Sequence, residues 1–197
     1  MAGAKVNQAI IDGQVWRFIS PIFIHVDALH ILVNMYSLNA VGPSVERFFG
    51  KERTAIVYIL SGICGVGFSL ALSARNSAGA SGAIFGMVGA FALFLFIHRG
   101  LFGAATKDLL SRIAFIVLLN LALGFSAMID NWGHVGGLLG GILISWIIGP
   151  RWEIVQDTDQ PIRVVDKRSW KKVQTNTLFA MGIVAFICLA AIYSHFK

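Results

Sequence analysis

Six apolar runs, separated by short polar stretches, fill this chain from residue 24 onward: about 24–41, 54–74, 81–98, 112–128, 133–149 and 177–194. Each is near the roughly 17–25 residues that a bilayer-spanning helix needs. Inside a bilayer each backbone amide must be satisfied within its own segment, so these runs predict helices. The first run is the least apolar, carrying His25, Asp27, His30 and Asn34 in its first half. Residues 1–20, which include Lys5, Asp12 and the pair Trp16-Arg17, are too polar to span and predict an interfacial loop. The expected fold is an all-α polytopic membrane protein of one domain.

Composition supports that pattern. The chain is 56% hydrophobic and 13% charged, about half the charged share of a soluble domain. Its net charge of +6 does not build a nucleic-acid face, because the basic residues sit in short loops between apolar runs. If the first run passes from outside to inside, the inner side holds Arg47, Lys51, Arg53, Arg99, Lys107, Arg112, Arg151, Arg163, Lys167, Arg168, Lys171 and Lys172. The outer side keeps only Lys5, Arg17, Arg75 and Lys197. Basic loops face the cytoplasm, so this asymmetry puts the N-terminus outside, with the starts of runs one, three and five. No charged and then apolar leader precedes residue 20, and an outside N-terminus then leads us to expect a further helix upstream. Cys64 and Cys188 lie within apolar runs and read as small hydrophobes without an activating base.

Two of those outer starts carry small-residue faces. Gly82, Gly86 and Ala90 recur at spacing four, as do Gly133, Gly137 and Gly141. Such faces let membrane helices approach closely where lipid supplies no hydrophobic force to join them. Ser81 stands one residue before the first face, and His134 one residue after the start of the second. If the faces pack together, hydroxyl and imidazole meet at one depth. A serine needs such a base to become a nucleophile. The glycine pattern taken alone favours plain packing, with Ser81 as a small seam residue.

The first run changes that weighting. His30 and Asn34, four residues apart, share a helix face, and buried polar groups in membrane helices are costly and usually functional. They could donate to an oxyanion formed when Ser81 attacks a carbonyl, with the Ser81 backbone N–H as a third donor. The alternative for them is bonding to nearby loop backbone, which is the reading we prefer for His25. From Ser81 to Ile97 is about 25 Å of helix, shorter than a core of about 30 Å. Ser81 is therefore expected below the outer surface, reached by water through a cavity.

Five motifs in order resemble the rhomboid intramembrane serine proteases over residues 13–149: Trp16-Arg17; His25, His30 and Asn34; Gly42-Pro43, Glu46-Arg47 and Gly50; Gly79-Ala80-Ser81-Gly82; and Gly133-His134, Gly137 and Gly141. The resemblance implies a rhomboid-like helical bundle, with Ser81 as nucleophile and His134 as general base in a dyad without an acid. It places His30 and Asn34 in the oxyanion hole, packs Phe85 on the base, and gives Asp130 no role beyond the loop. Glu46 and Arg47 would help fix a helix–helix turn. It implies no cofactor, no metal and no nucleic-acid partner. The substrates would be transmembrane helices of other proteins, cut near the outer surface, and the chain a multi-pass protein of a bacterial plasma membrane.

On this reading residues 1–149 form the catalytic domain without the family's first helix. Residues 150–176 form a charged, solvated cytoplasmic linker, with anionic-lipid contact as its second reading, and 177–197 an extra C-terminal membrane helix. The main alternative is a catalytically inactive rhomboid-like binder of membrane proteins, against which the presence of both Ser81 and His134 argues. A metal protein built on His25, His30 and His134 lacks a carboxylate or thiolate at helical spacing. A transporter lacks the inverted repeat that would support it.

Overall fold

The computed structural model describes residues 2–126, 129–156 and 161–196. The elements run α1 (Asn7–Ile11), α2 (Ala28–Phe49), α3 (Lys51–Leu72), α4 (Ser81–Ile97), α5 (Arg99–Phe102), α6 (Ala105–Ser126), α7 (Asn131–Ile148), β1 (Trp152–Val155), β2 (Arg163–Asp166) and α8 (Trp170–Tyr193). Six of them are long helices standing on the six apolar runs. The end of the fourth run, at 127–128, and Lys197 lie outside the described residues.

Among the described residues, three helices are long and apolar enough to cross a membrane: Lys51–Leu72, Asn131–Ile148 and Trp170–Phe196. Ser81–Ile97 is apolar but shorter. α2 is diluted by His30, Asn34, Asn39, Glu46 and Arg47, and α6 opens on Lys107, Asp108 and Arg112. The chain is an integral membrane protein with a helical, polytopic fold.

Helices outrun their apolar stretches because helical hydrogen bonding continues past the polar boundary. α2 continues through Pro43 to Phe49 and stops at Gly50. There φ is +79°, a region that glycine enters without the Cβ penalty. The Gly50 N–H donates to the Glu46 carbonyl at 2.9 Å, and α3 begins at the next residue.

The core is a stack of α3, α4 and α7. The two predicted small faces do meet: a Cβ at Gly137 would run into the Gly82 carbonyl oxygen, and one at Gly141 into that of Gly86. α7 uses its other small face against α3, where Gly140 lies on Cys64 and Gly136 on Phe68. Cys64 and Cys188 are free and buried. α8 packs its Ala180, Val184, Cys188 and Ala191 stripe inward, with Ile187 and Cys188 against Gly67 of α3.

Two segments differ from expectation. Residues 150–176 are not a plain solvated connector: β1 and β2 form an antiparallel pair, Ile154 facing Val164, and α8 already starts at Trp170. The cause is a buried cation. Arg53 at the start of α3 is 4% exposed and needs a counter-charge, which Asp166 supplies at 2.8 Å. Trp152 adds two ties, its N–H donating to His98 Nε2 at 2.9 Å and its indole to the Phe48 carbonyl at 3.2 Å. The hairpin thus fastens the end of the bundle opposite Ser81.

The first segment is likewise more than an interfacial loop. Residues 2–23 fold as α1 and two short 3-10 turns, Val15–Phe18 and Ser20–Phe23, with Ala4, Lys5, Ile10 and Phe18 buried. Arg17 Nη1 donates to the Ala4 carbonyl at 2.6 Å, and Ser20 Oγ to that of Gly3 at 2.7 Å. The segment covers the end of the bundle where α4 begins.

Candidate active site

Ser81 is the first residue of α4, after Ala80. Its backbone N–H is therefore one of the amides that a helix start leaves without an intrahelical acceptor. His134 is the fourth residue of α7, whose start is capped by the Asp130 carboxylate accepting from the Gly133 N–H. The glycine seam brings the two helix starts together. Ser81 Oγ lies 2.8 Å from His134 Nε2, across 53 residues of sequence. With the imidazole protonated at Nδ1, the hydroxyl donates to Nε2.

Phe85, one turn past Ser81, stacks on the His134 ring, with centroids 4.4 Å apart and planes within 6°. That stacking and the buried position, 9% exposed, fix the ring plane. Nδ1 of His134 is buried and has no hydrogen-bond partner among the described residues. Asp130 does not supply one: its two carboxylate oxygens take the Gly133 N–H and the Ser69 hydroxyl. Its charge still faces the imidazole from the head of the same helix, but its geometry serves the cap.

His30 and Asn34 stand on the first turns of α2. Asp27 caps that helix, its carboxylate accepting from the His30 N–H at 2.8 Å. The Asn34 amide donates to the His30 carbonyl at 2.9 Å. Across from them is Gly79, two residues before Ser81, with φ +135°. A Cβ there would stand 2.7 Å from His30 Nε2 and 3.8 Å from Asn34 Nδ2. Backbone conformation and space both therefore require glycine, and the side chains of α2 press directly on the approach to the nucleophile.

His25 stacks edge-on against His30 at 5.2 Å. Among the described residues, no group of three or more His, Cys, Asp and Glu side chains is placed to hold a metal ion.

These groups line one cavity of about 440 Å³, with Ser81, His134, His30, Asn34 and Phe85 on its walls. It also includes Asn76 in the loop before α4 and Asn120 on α6. The arrangement can do nucleophilic chemistry: a hydroxyl with a base in hydrogen-bond contact, and polar side chains facing it across a pocket.

Sequence reasoning passed over three contributors. Ser69, whose hydroxyl donates to Asp130, belongs to a third small face, Ser61, Gly65 and Ser69, at the same spacing of four. That repeat was a readable signal. Asn120 sits in a run that reads as lipid-facing on most sides. Lys5, fully buried beside the loop that leads to Ser81, looks in the sequence like any outer cation.

Comparison with known proteins now bears on the arrangement. The sequence model of the Rhomboid domain matches residues 12–151. The chain is similar to the rhomboid protease GluP of Bacillus subtilis (strain 168), 39% identical over 148 residues, covering 75% of this chain and 29% of that protein. It is 36% identical over 149 residues to RHOMBOID-like protein 5 of Arabidopsis thaliana, covering 74% and 48%. It is 33% identical over 144 residues to the putative rhomboid protease YdcA of Bacillus subtilis (strain 168), covering 72% and 71%. The chain spans less than a third of GluP and about half of the plant relative. With the domain match covering residues 12–151, more than half of its length, this chain belongs to the rhomboid family.

Proposed function

We propose that this chain is an intramembrane serine endopeptidase that hydrolyses peptide bonds in or near transmembrane helices of other proteins. The observation that carries the reading is the 2.8 Å contact between Ser81 Oγ and His134 Nε2 on the wall of a cavity that His30 and Asn34 also line. Similarity to proteins named rhomboid proteases supports it.

In the reaction, Ser81 Oγ attacks the scissile carbonyl carbon while His134 Nε2 takes the hydroxyl proton. The carbonyl oxygen becomes an oxyanion. Its donors are the Ser81 N–H, the Asn34 amide and the His30 ring. Such donors act because they are fixed before charge develops, and each is typically worth about a hundredfold to a thousandfold in rate. Collapse breaks the C–N bond, and the leaving amine takes the proton from His134. Water then attacks the acyl-serine, giving its proton to His134, and the carboxylate product leaves with Ser81 restored. Phe85 keeps the imidazole plane aimed at Oγ through both proton transfers, in place of a carboxylate partner.

The cavity opens toward the side that carries Lys5, Arg17 and Arg75, which the charge asymmetry assigns to the outer face of a plasma membrane. Residues 1–149 are then the catalytic bundle, and α8 an appended membrane helix beyond it. A substrate helix reaches the cavity past α6, whose Asn120 lines the pocket while most of its other side chains are exposed.

The test is reconstitution of the chain in liposomes with a single-span substrate carrying tags at both ends. The wild type should release two fragments and Ser81→Ala none. Intact substrate that co-purifies with the wild type and is never cut would favour an inactive membrane-protein binder instead.

A further inference from the structure

We infer that Lys5 is a positioning residue for the nucleophile: its buried side chain ties the loop between α3 and α4 to the N-terminal segment and so fixes where Gly79 and Ser81 stand. The inference rests on the reading of Ser81 as the nucleophile and adds a residue that this reading does not use.

Lys5 is 0% exposed and is among the largest fully buried side chains of the molecule. Its Nζ donates to the Ser73 carbonyl at 2.9 Å and to the Arg75 carbonyl at 2.7 Å. Ser73 is the residue that ends α3, where helical carbonyls lack intrahelical partners. An ammonium brings three donors and positive charge to that negative helix end. The main chain of Lys5 acts on the same loop, its N–H donating to the Ser77 carbonyl at 2.8 Å and its carbonyl accepting from the Ser77 N–H at 3.1 Å. Two residues on, the Gly79 N–H donates to the Pro21 carbonyl at 2.9 Å. The loop from Ser73 to Ala80 is thus held at successive points by residues 5 and 21. The last of these points is Gly79, against which His30 presses.

A buried lysine with two backbone acceptors is a costly way to hold a surface loop. An amide side chain suffices to cap α3, and Asn7 already does so, donating to the Ser73 carbonyl at 3.0 Å. What the lysine side chain adds is reach to Arg75, beside the main-chain bridge to Ser77, four residues from the nucleophile. Its environment is mixed: Asp130, the cap of α7, faces it with a negative charge, while Arg75 contributes its carbonyl and Arg17 holds the adjoining Ala4 carbonyl. Lys5 therefore acts on the loop that leads into α4.

The experiment compares the wild type, Lys5→Met and Asn7→Ala in detergent. It reads the rate of fluorophosphonate labelling per folded molecule, amide exchange across residues 73–80, and kcat and KM on a transmembrane substrate. Lys5→Met should exchange faster in the loop and label about tenfold to a hundredfold more slowly, the scale of a small misplacement of a reacting group, with kcat reduced and KM unchanged. Asn7→Ala should melt earlier yet label at the wild-type rate. If Lys5→Met gives no folded peak, Lys5→Gln carries the same test. Equal labelling rates in wild type and lysine variant overturn the role given to Lys5. A wild type that never labels overturns the Ser81 reading itself.

Discussion

α7 and α6 border the same cavity and are held in opposite ways. α7 is clasped on two faces: Gly137 and Gly141 ride on the backbone carbonyls of α4, and Gly136 and Gly140 on the Phe68 and Cys64 side chains of α3. Between Ala105 and Gly124 of α6, only Thr106 and Gly124 are buried, and Phe115 and Leu118 are 67% and 66% exposed. Its ties to α7 include one side-chain bond, the Asn131 Nδ2 amide donating to the Leu121 carbonyl at 2.9 Å. One wall of the site is therefore built to hold two atoms within hydrogen-bond range, and the other is built loosely. On the function proposed above, both are needed: a fixed Ser–His pair, and a wall past which a substrate helix can be admitted.

The comparison can be broken most severely at the fixed wall. His134→Ala should lower acylation by about a thousandfold or more, nearly as far as Ser81→Ala, because a nucleophile and its base act as a unit. Single-turnover labelling measures it. Asn34→Ala should reduce kcat on a peptide substrate by about a hundredfold to a thousandfold, if its amide stabilises the oxyanion. It should leave the melting temperature nearly unchanged, since one helix-internal bond to His30 is lost. Gly137→Val forces branched carbons into the Gly82 carbonyl. It should destabilise the bundle by about 3 kcal/mol or more, visible as early melting in detergent.

Lys5 sharpens the comparison through pH. Burial lowers its amine from 10.5 to about 8, with Asp130 opposing. Between those values the unfolded chain holds the extra proton, so stability rises as pH climbs from about 8 toward 10.5. The melting temperature of the wild type should rise across that window, and Lys5→Met should remove that part of the rise. The smallest effect belongs to the loose wall. Leu118→Ala on α6 should shift stability by less than about 0.5 kcal/mol, against severalfold more for a change of similar size in the α4–α7 seam.

The same contrast explains what could be read in advance. Spacing-four glycines are a geometric code, since only small residues at one face allow carbonyl-on-glycine contact, so a close α4–α7 seam was legible before any coordinates, while pairing Ser81 with His134 took His30, Asn34 and the ordered motifs as well. So were the six helices, because the bilayer admits few alternatives to apolar helix. The hairpin of β1 and β2 was not. Its four-residue strands mix Glu153, Arg163 and Asp166 with apolar residues, and they pair because a buried Arg53 from a distant helix fixes Asp166. The burial of Lys5 was hidden for the same reason. A charge is buried when partners far along the chain converge on it, and nothing local announces them. Ser61, Gly65 and Ser69 on α3 carried the periodic signal, but serines broke the visual pattern of glycines.

The most direct test is mass spectrometry of the detergent-solubilised chain after reaction with a fluorophosphonate. The account predicts one adduct, on the peptide that contains Ser81, absent when His134 is replaced by alanine. An adduct on another serine, or one on Ser81 that persists at full rate without His134, would contradict it.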